Sequence, residues 1–208
     1  MRVGIFGGAF DPIHVGHLIL AERVRDEAGL DLVRFLPSYK PPHKADRQLT
    51  RFETRCDMVA LATTGQPAFA LDAIEKELPP PSYSVNTLRE LAARHSGDEF
   101  SLIIGADSLY DLPTWYEPRQ LLELAELIVV PRPGVELVSA EALAATLGVE
   151  AGAVRLRVVA CPLMEIASRD LRKRIAEGKS VRYLLPRAVE EFVRERGLYA
   201  ARANPGGE

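Results

Sequence analysis

Short apolar runs recur along the chain, each followed by a longer stretch whose apolar positions return every third or fourth residue. Residues 2–6 (RVGIF), the segment DLVRFLPS, and residues 100–104, 126–130 and 155–159 read as buried strands, while 68–77 starts as an alternating strand. Residues 15–28, 49–63, 84–95, 118–124 and 139–147 carry the helical period, and 168–196 reads as two helices interrupted near GKSVRYLLP. Strands alternating with helices of this length predict parallel crossover units. The expected fold class is therefore α/β, a doubly wound, mostly parallel sheet with helices on both faces and a C-terminal helical segment. Residues 1–200 are expected to form one domain, with 160–200 its helical C-terminal part and 201–208 a flexible tail.

Composition narrows the class. The 208 residues are 47% apolar, enough for a sizeable core, and 26 basic against 29 acidic side chains leave a formal charge of −3. That balance offers no general attraction to nucleic acid or an anionic membrane, so neither is expected as a partner. No apolar run approaches the ~20 residues that span a bilayer, and no basic leader precedes the first strand. Cys56 and Cys161 are too few for a disulfide framework and read as buried thiols. Together these features predict a soluble, cytoplasmic protein.

The polar chemistry gathers where strands should end. In open α/β sheets ligands bind beyond the carboxyl ends of the strands, and GGAFDPIH, SYKPPHK and GAD fall at three such ends. Gly7 and Gly8 would permit positive φ and close approach of a ligand. His14 and His17 are three apart at the start of helix 15–28, where free amides attract anions and an imidazole can donate to a phosphate oxygen or add charge. Packing and capping could also account for them. Zinc is a third option, which lacks a supporting carboxylate or thiol. Lys40, His43 and Lys44 surround two prolines and present positive charge. Ser82 or Ser84 and Asp107 could be plain helix caps, whereas Asp107 could also meet a ribose hydroxyl or magnesium-bound water. Trp115 could anchor the core or stack on a planar ring. Arg132 stands between two prolines, and Ser168 can be an N-cap with Arg169 and Arg172 nearby.

The run G-G-A-F-D-P-I-H-V-G-H at 7–17 resembles the signature G-G-x-F-D-P-x-H-x-G-H of the nucleotidyltransferase superfamily. The similarity to the bacterial nicotinate-nucleotide adenylyltransferases continues through P-S-Y-K-P-P-H-K (37–44), P-S-Y-S-V-N-T-L (81–88), I-I-G-A-D-S-L (103–109), P-T-W-Y (113–116), V-P-R-P-G (130–134), I-A-S-R-D-L-R (166–172) and the closing segment 184–199. It covers essentially residues 2–199.

The resemblance implies a Rossmann-like nucleotidyltransferase domain that moves the adenylyl group of ATP to nicotinate mononucleotide, with Mg2+ bound to ATP. It implies His14, His17 and Lys44 as catalytic residues, and Gly7, Gly8, Phe10, His14, His17, Gly105, Asp107, Ser168 and Arg172 around ATP. It places Lys44, Ser84, Trp115, Tyr116 and Arg132 on the nicotinate nucleotide, with Trp115 stacked on the ring and the Tyr116 amide on its carboxylate. No protein metal ligands are expected. Ala167 and Arg169 depart from the family's serine and threonine, so no contact is assigned to them. The competing readings are a nicotinamide-mononucleotide or phosphopantetheine adenylyltransferase and a non-catalytic nucleotide-binding module. A homo-oligomer is possible, its state undetermined.

Overall fold

The computed structural model describes residues 1–41, 49–162 and 164–201. Lys44, His43 and most of the expected tail therefore lie outside the described residues. Among the described residues six strands form one sheet: β1 (Arg2–Gly8), β2 (Leu32–Pro37), β3 (Phe69–Leu71), β4 (Glu99–Gly105), β5 (Ala125–Val130) and β6 (Leu156–Val158). Their order is β3-β2-β1-β4-β5-β6 and every pairing is parallel. The helices are α1 (Val15–Ala28), α2 (Phe52–Thr63), α3 (Ser84–Arg94), α4 (Ala106–Asp111), α5 (Pro118–Leu124), α6 (Ala140–Leu147), α7 (Ser168–Ala176) and α8 (Arg187–Glu195).

The strand sequences explain why helices cover both faces. Successive side chains of a strand point to opposite sides. Leu102, Ile104, Leu127 and Val129 join one core with Val85, Leu88 and Leu91 of α3, Leu109 of α4, Leu121 and Leu122 of α5, and Leu143 and Leu147 of α6. Ile103, Ile128 and Val130 join the other, with Ala21, Val24 and Ala28 of α1, Met58 and Val59 of α2, Leu171 of α7, and Val189 and Val193 of α8. The strand order runs outward from β1 in one direction and then reverses through β4, so the doubly wound expectation holds. The C-terminal helical segment packs on the second face.

Element limits follow local chemistry. α1 closes at Gly29, whose φ of 63° lets its N–H reach back to Arg25 and Asp26 carbonyls. Ser139 caps α6, its hydroxyl accepting from the Ala142 N–H at 3.2 Å. The expected strand 68–77 is cut to three residues, because the Asp72 carboxylate accepts from the Ile74 N–H at 3.0 Å and turns the chain into a 3-10 turn, Ile74–Lys76. α2 starts at Phe52 rather than 49, and the short helix α4 follows the strand end at Gly105. Cys56 and Cys161 are free and half-buried rather than buried. No helix among the described residues is long and apolar enough to cross a membrane.

Candidate active site

The sheet comes apart at its switch point. β1 pairs with β2 out to Gly8↔Pro37, and β4 pairs with β5 out to Gly105↔Val130. The ladder between β1 and β4, however, stops at Ile5↔Leu102. Residues 6–8 and 103–105 thus diverge at the carboxyl edge, where ligands of such sheets bind. Gly7, Gly8, Gly105 and Asp107 all stand at this opening.

The first loop differs from its expected geometry. Gly7 and Gly8 are extended strand residues, and the left-handed position is taken by Phe10 (φ 47°). The glycines are small for another reason. A Cβ on Gly7 would meet nothing within 4 Å, which leaves that backbone open to a ligand, whereas one on Gly8 would stand 3.0 Å from the Phe10 ring. Phe10 is buried and packs edge-on against His17 at 5.1 Å between ring centres.

His14 and His17 are stacked, ring centres 3.7 Å apart and planes at 21°. His14 is the N-cap residue of α1 in extended conformation and is buried; its Nδ1 has no hydrogen-bond partner. A Cβ on Gly16 would stand 3.0 Å from that Nδ1, a tight contact that glycine avoids. The His17 Nδ1 accepts from the His14 N–H at 3.2 Å, which puts the proton of a neutral His17 on Nε2. Burial lowers the His14 imidazole to about 4. Burial, then His14, then Arg132 drive His17 well below the ordinary histidine range. With no anion beside them both rings are neutral at pH 7, and they offer hydrogen-bond donors.

Three side chains from distant elements hold the first loop from beneath. Arg55 of α2 is 1% exposed, and its guanidinium donates to the carbonyls of Ala9 (2.7 Å), Ser38 (2.7 Å) and Thr50 (2.9 Å). Arg172 donates to the Asp11 carbonyl at 2.5 Å, and the Ser168 hydroxyl to the Pro12 carbonyl at 2.9 Å. Ser168 is not the N-cap as expected; Ala167 is, and Ser168 opens α7. The buried Asp11 carboxylate accepts from the Tyr199 hydroxyl at 2.6 Å and the Thr50 N–H at 3.2 Å. Sequence reasoning missed Arg55 and Tyr199. A signal existed for the first, since Arg55 falls on the same helical face as Phe52, Met58 and Val59.

At the ends of β4 and β5, Asp107 pairs with Arg132 at 3.3 Å. The helix cap there is Gly105, not Asp107. A Cβ on Gly105 would collide with the Asp107 carboxylate and stand 3.1 Å from Arg132 Nε. Arg132 thus lies beside Asp107 and near His17. The aromatic candidates stand at the start of α3 and after α4. Ser84 is the first residue of α3, behind the N-cap Tyr83, and makes no cap hydrogen bond. Trp115 follows the 3-10 turn Leu112–Thr114 and packs half-buried on the first core. Tyr116 is half-exposed and stacks on Tyr83 at 4.5 Å. The segment before Lys44 is tied down: the Tyr39 N–H donates to buried Glu75 (2.9 Å), and Lys40 and Ser82 exchange hydrogen bonds, both of 3.0 Å.

Comparison with known proteins agrees with this architecture. The cytidylyltransferase-like family model matches residues 5–174. The chain is 46% identical to a probable nicotinate-nucleotide adenylyltransferase of Thermomicrobium roseum over 95% of this chain and 91% of that protein. It is 42% identical to one from Geobacter sulfurreducens, over 96% and 99%. Its fold is similar to a Plasmodium falciparum nicotinic acid mononucleotide adenylyltransferase complexed with NaAD, with a TM-score of 0.74 at 17% identity over 95% of this chain and 97% of that one. The open switch point with its paired histidines, and relatives this similar over nearly the whole length, establish that the chain belongs to the cytidylyltransferase-like nucleotidyltransferases and, among them, to the nicotinate-nucleotide adenylyltransferases.

Proposed function

We propose that the opening between β1 and β4 binds ATP beside nicotinate mononucleotide and transfers the adenylyl group, giving nicotinate adenine dinucleotide and pyrophosphate as a step of NAD biosynthesis. The observation that carries this reading is the stacked, neutral pair His14–His17 at the mouth of a sheet split. No protein nucleophile is needed. The acceptor's own phosphate is charged near neutral pH and attacks the α-phosphorus in line, while the bond to pyrophosphate breaks.

The chain supplies alignment and hydrogen bonds to the charge that develops on phosphorus. The Nε2–H of His17 and the imidazole of His14 are the donors suited to phosphate oxygens, and their neutrality suits a site that must also release pyrophosphate. Gly7 offers open backbone for the nucleotide, Gly105 and Asp107 face the adenylate side, and Lys44 is assigned to the phosphates between the substrates. Ser84, Trp115 and Tyr116 are assigned to the nicotinate half. Ser168 and Arg172 act first as props of the loop, with the remaining Arg172 donors left for phosphate.

Among the described residues no group of three or more His, Cys, Asp or Glu side chains could hold a metal ion, and Asp107 is already paired with Arg132. Mg2+ is assigned to the ATP phosphates, where it would neutralise part of their charge. The reaction needs only small-molecule substrates, and the cytoplasm suits it.

The test is pyrophosphate release by the purified protein with MgATP and either nicotinate mononucleotide or its amide, with the dinucleotide identified by mass. Faster turnover of the acid is the expected result. Comparable rates would remove the acid preference, and no product with either mononucleotide would overturn the reading.

A further inference from the structure

The turn that follows Trp115 and Tyr116 contains a residue whose conformation needs an explanation. Glu117 has φ 48° and ψ 56°, the left-handed region, immediately before Pro118 opens α5. Any residue with a Cβ is disfavoured there, and such positions persist only when their surroundings impose them. Here the surroundings are specific. Arg89 of α3 donates to the Glu117 carboxylate and to the Gln120 side chain, and also to the Asn86 side chain at 2.9 Å. The Tyr116 hydroxyl first, and Arg89 second, hold the Glu117 carboxyl below its ordinary range. Tyr116 in turn stacks on Tyr83, the N-cap residue of the same helix α3. The contacts close a ring: Tyr83, Tyr116, Glu117, Arg89, and back along α3.

We propose that Arg89 and Glu117 are a positioning pair that sets specificity for the pyridine half of the acceptor. Neither touches the reacting atoms. Glu117, held left-handed by Arg89, fixes the direction of the chain through Tyr116 and Trp115, and so the separation between the Trp115 face and the start of α3 at Ser84. A planar pyridine carboxylate lying between those two walls is recognised only while that separation is kept. This inference rests on the acceptor reading above, and it adds the residues that hold the acceptor pocket in shape.

Trp115 is the only tryptophan, so its fluorescence reports binding at this turn independently of turnover. The experiment titrates wild type, Arg89→Met, Glu117→Gly and the double variant with nicotinate mononucleotide and, separately, with MgATP, and follows steady-state rates alongside. Arg89→Met should weaken nicotinate mononucleotide binding about tenfold and shift Trp115 emission to the red, while KM for ATP stays within about twofold. Adding Glu117→Gly should recover most of the lost affinity, because glycine adopts the left-handed turn without being tied. A general stability defect would weaken both substrates alike, which the parallel MgATP titration reads. Unchanged acceptor binding in Arg89→Met, equal losses for both substrates, or no recovery in the double variant would each overturn the inference. If wild type binds and adenylates no pyridine mononucleotide at all, the acceptor reading itself has failed, and that outcome is distinct from the other three.

Discussion

The phosphate end and the ring end of the site are built on opposite plans. At the phosphate end, loop 9–14 is buried and propped from beneath by Arg55, Arg172, Ser168 and, through Asp11, Tyr199. At the ring end, Trp115 and Tyr116 are half-exposed, and the turn after them is tied by a partly solvated ion pair, the Arg89 and Glu117 side chains being 37% and 34% exposed. The difference teaches where each part can fail. Damage beneath the phosphate loop should cost stability and catalysis together, whereas damage at the ring end should change which acceptor binds and leave the fold alone.

The largest expected effect comes from Arg55. Arg55→Met leaves three part-buried carbonyls without their donor and should lower unfolding free energy by about 3 kcal/mol, read by urea denaturation. His14→Ala and His17→Ala should each lower kcat by about a hundredfold to a thousandfold, in pyrophosphate-release assays of folded protein. The same buried rings make the fold acid-sensitive. Because the folded value of His14, about 4, lies below the unfolded 6.5, the unfolded chain binds more protons between them. Stability should therefore fall by roughly 3 kcal/mol as pH drops from 6.5 to 4 and level off below, with His17 acting in the same direction. A denaturation series at pH 7, 5.5 and 4 checks this, and it should largely vanish in the double alanine variant.

Smaller effects sharpen the contrast. Tyr199→Phe removes one hydrogen bond to buried Asp11 and should cost about 1 kcal/mol. Arg89→Met, despite its effect on the acceptor, should change stability by less than about 1 kcal/mol, as exposed ion pairs do. Equal stability losses from Arg55→Met and Arg89→Met would break the comparison.

How legible each part was follows the same division. α1 and α5 were readable to their ends because Gly29 stops the one and Pro118 starts the other. β3 was not, since the Asp72 side chain bends the chain out of an apolar run that looked like strand. α4 has only six residues, too few to display a helical period. In the site, the glycines, histidines and aromatic turn stand in short contiguous segments, so they were visible along the chain. Their supports were not. Arg55, Arg172 and Tyr199 reach loop 9–14 across 46 to 188 residues of sequence, and only the folded chain brings them there. Nor could the chain order show that Ser168 points its hydroxyl at Pro12, or that Arg132 pairs with Asp107.

The most direct test of the whole account is a crystal structure of the protein with nicotinate adenine dinucleotide. The account predicts the pyrophosphate linkage over the split between residues 6–8 and 103–105, its oxygens within hydrogen-bonding distance of His14 or His17, with the pyridine ring against Trp115. A dinucleotide seated away from that split, or one whose adenine occupies the Trp115 pocket, would contradict it.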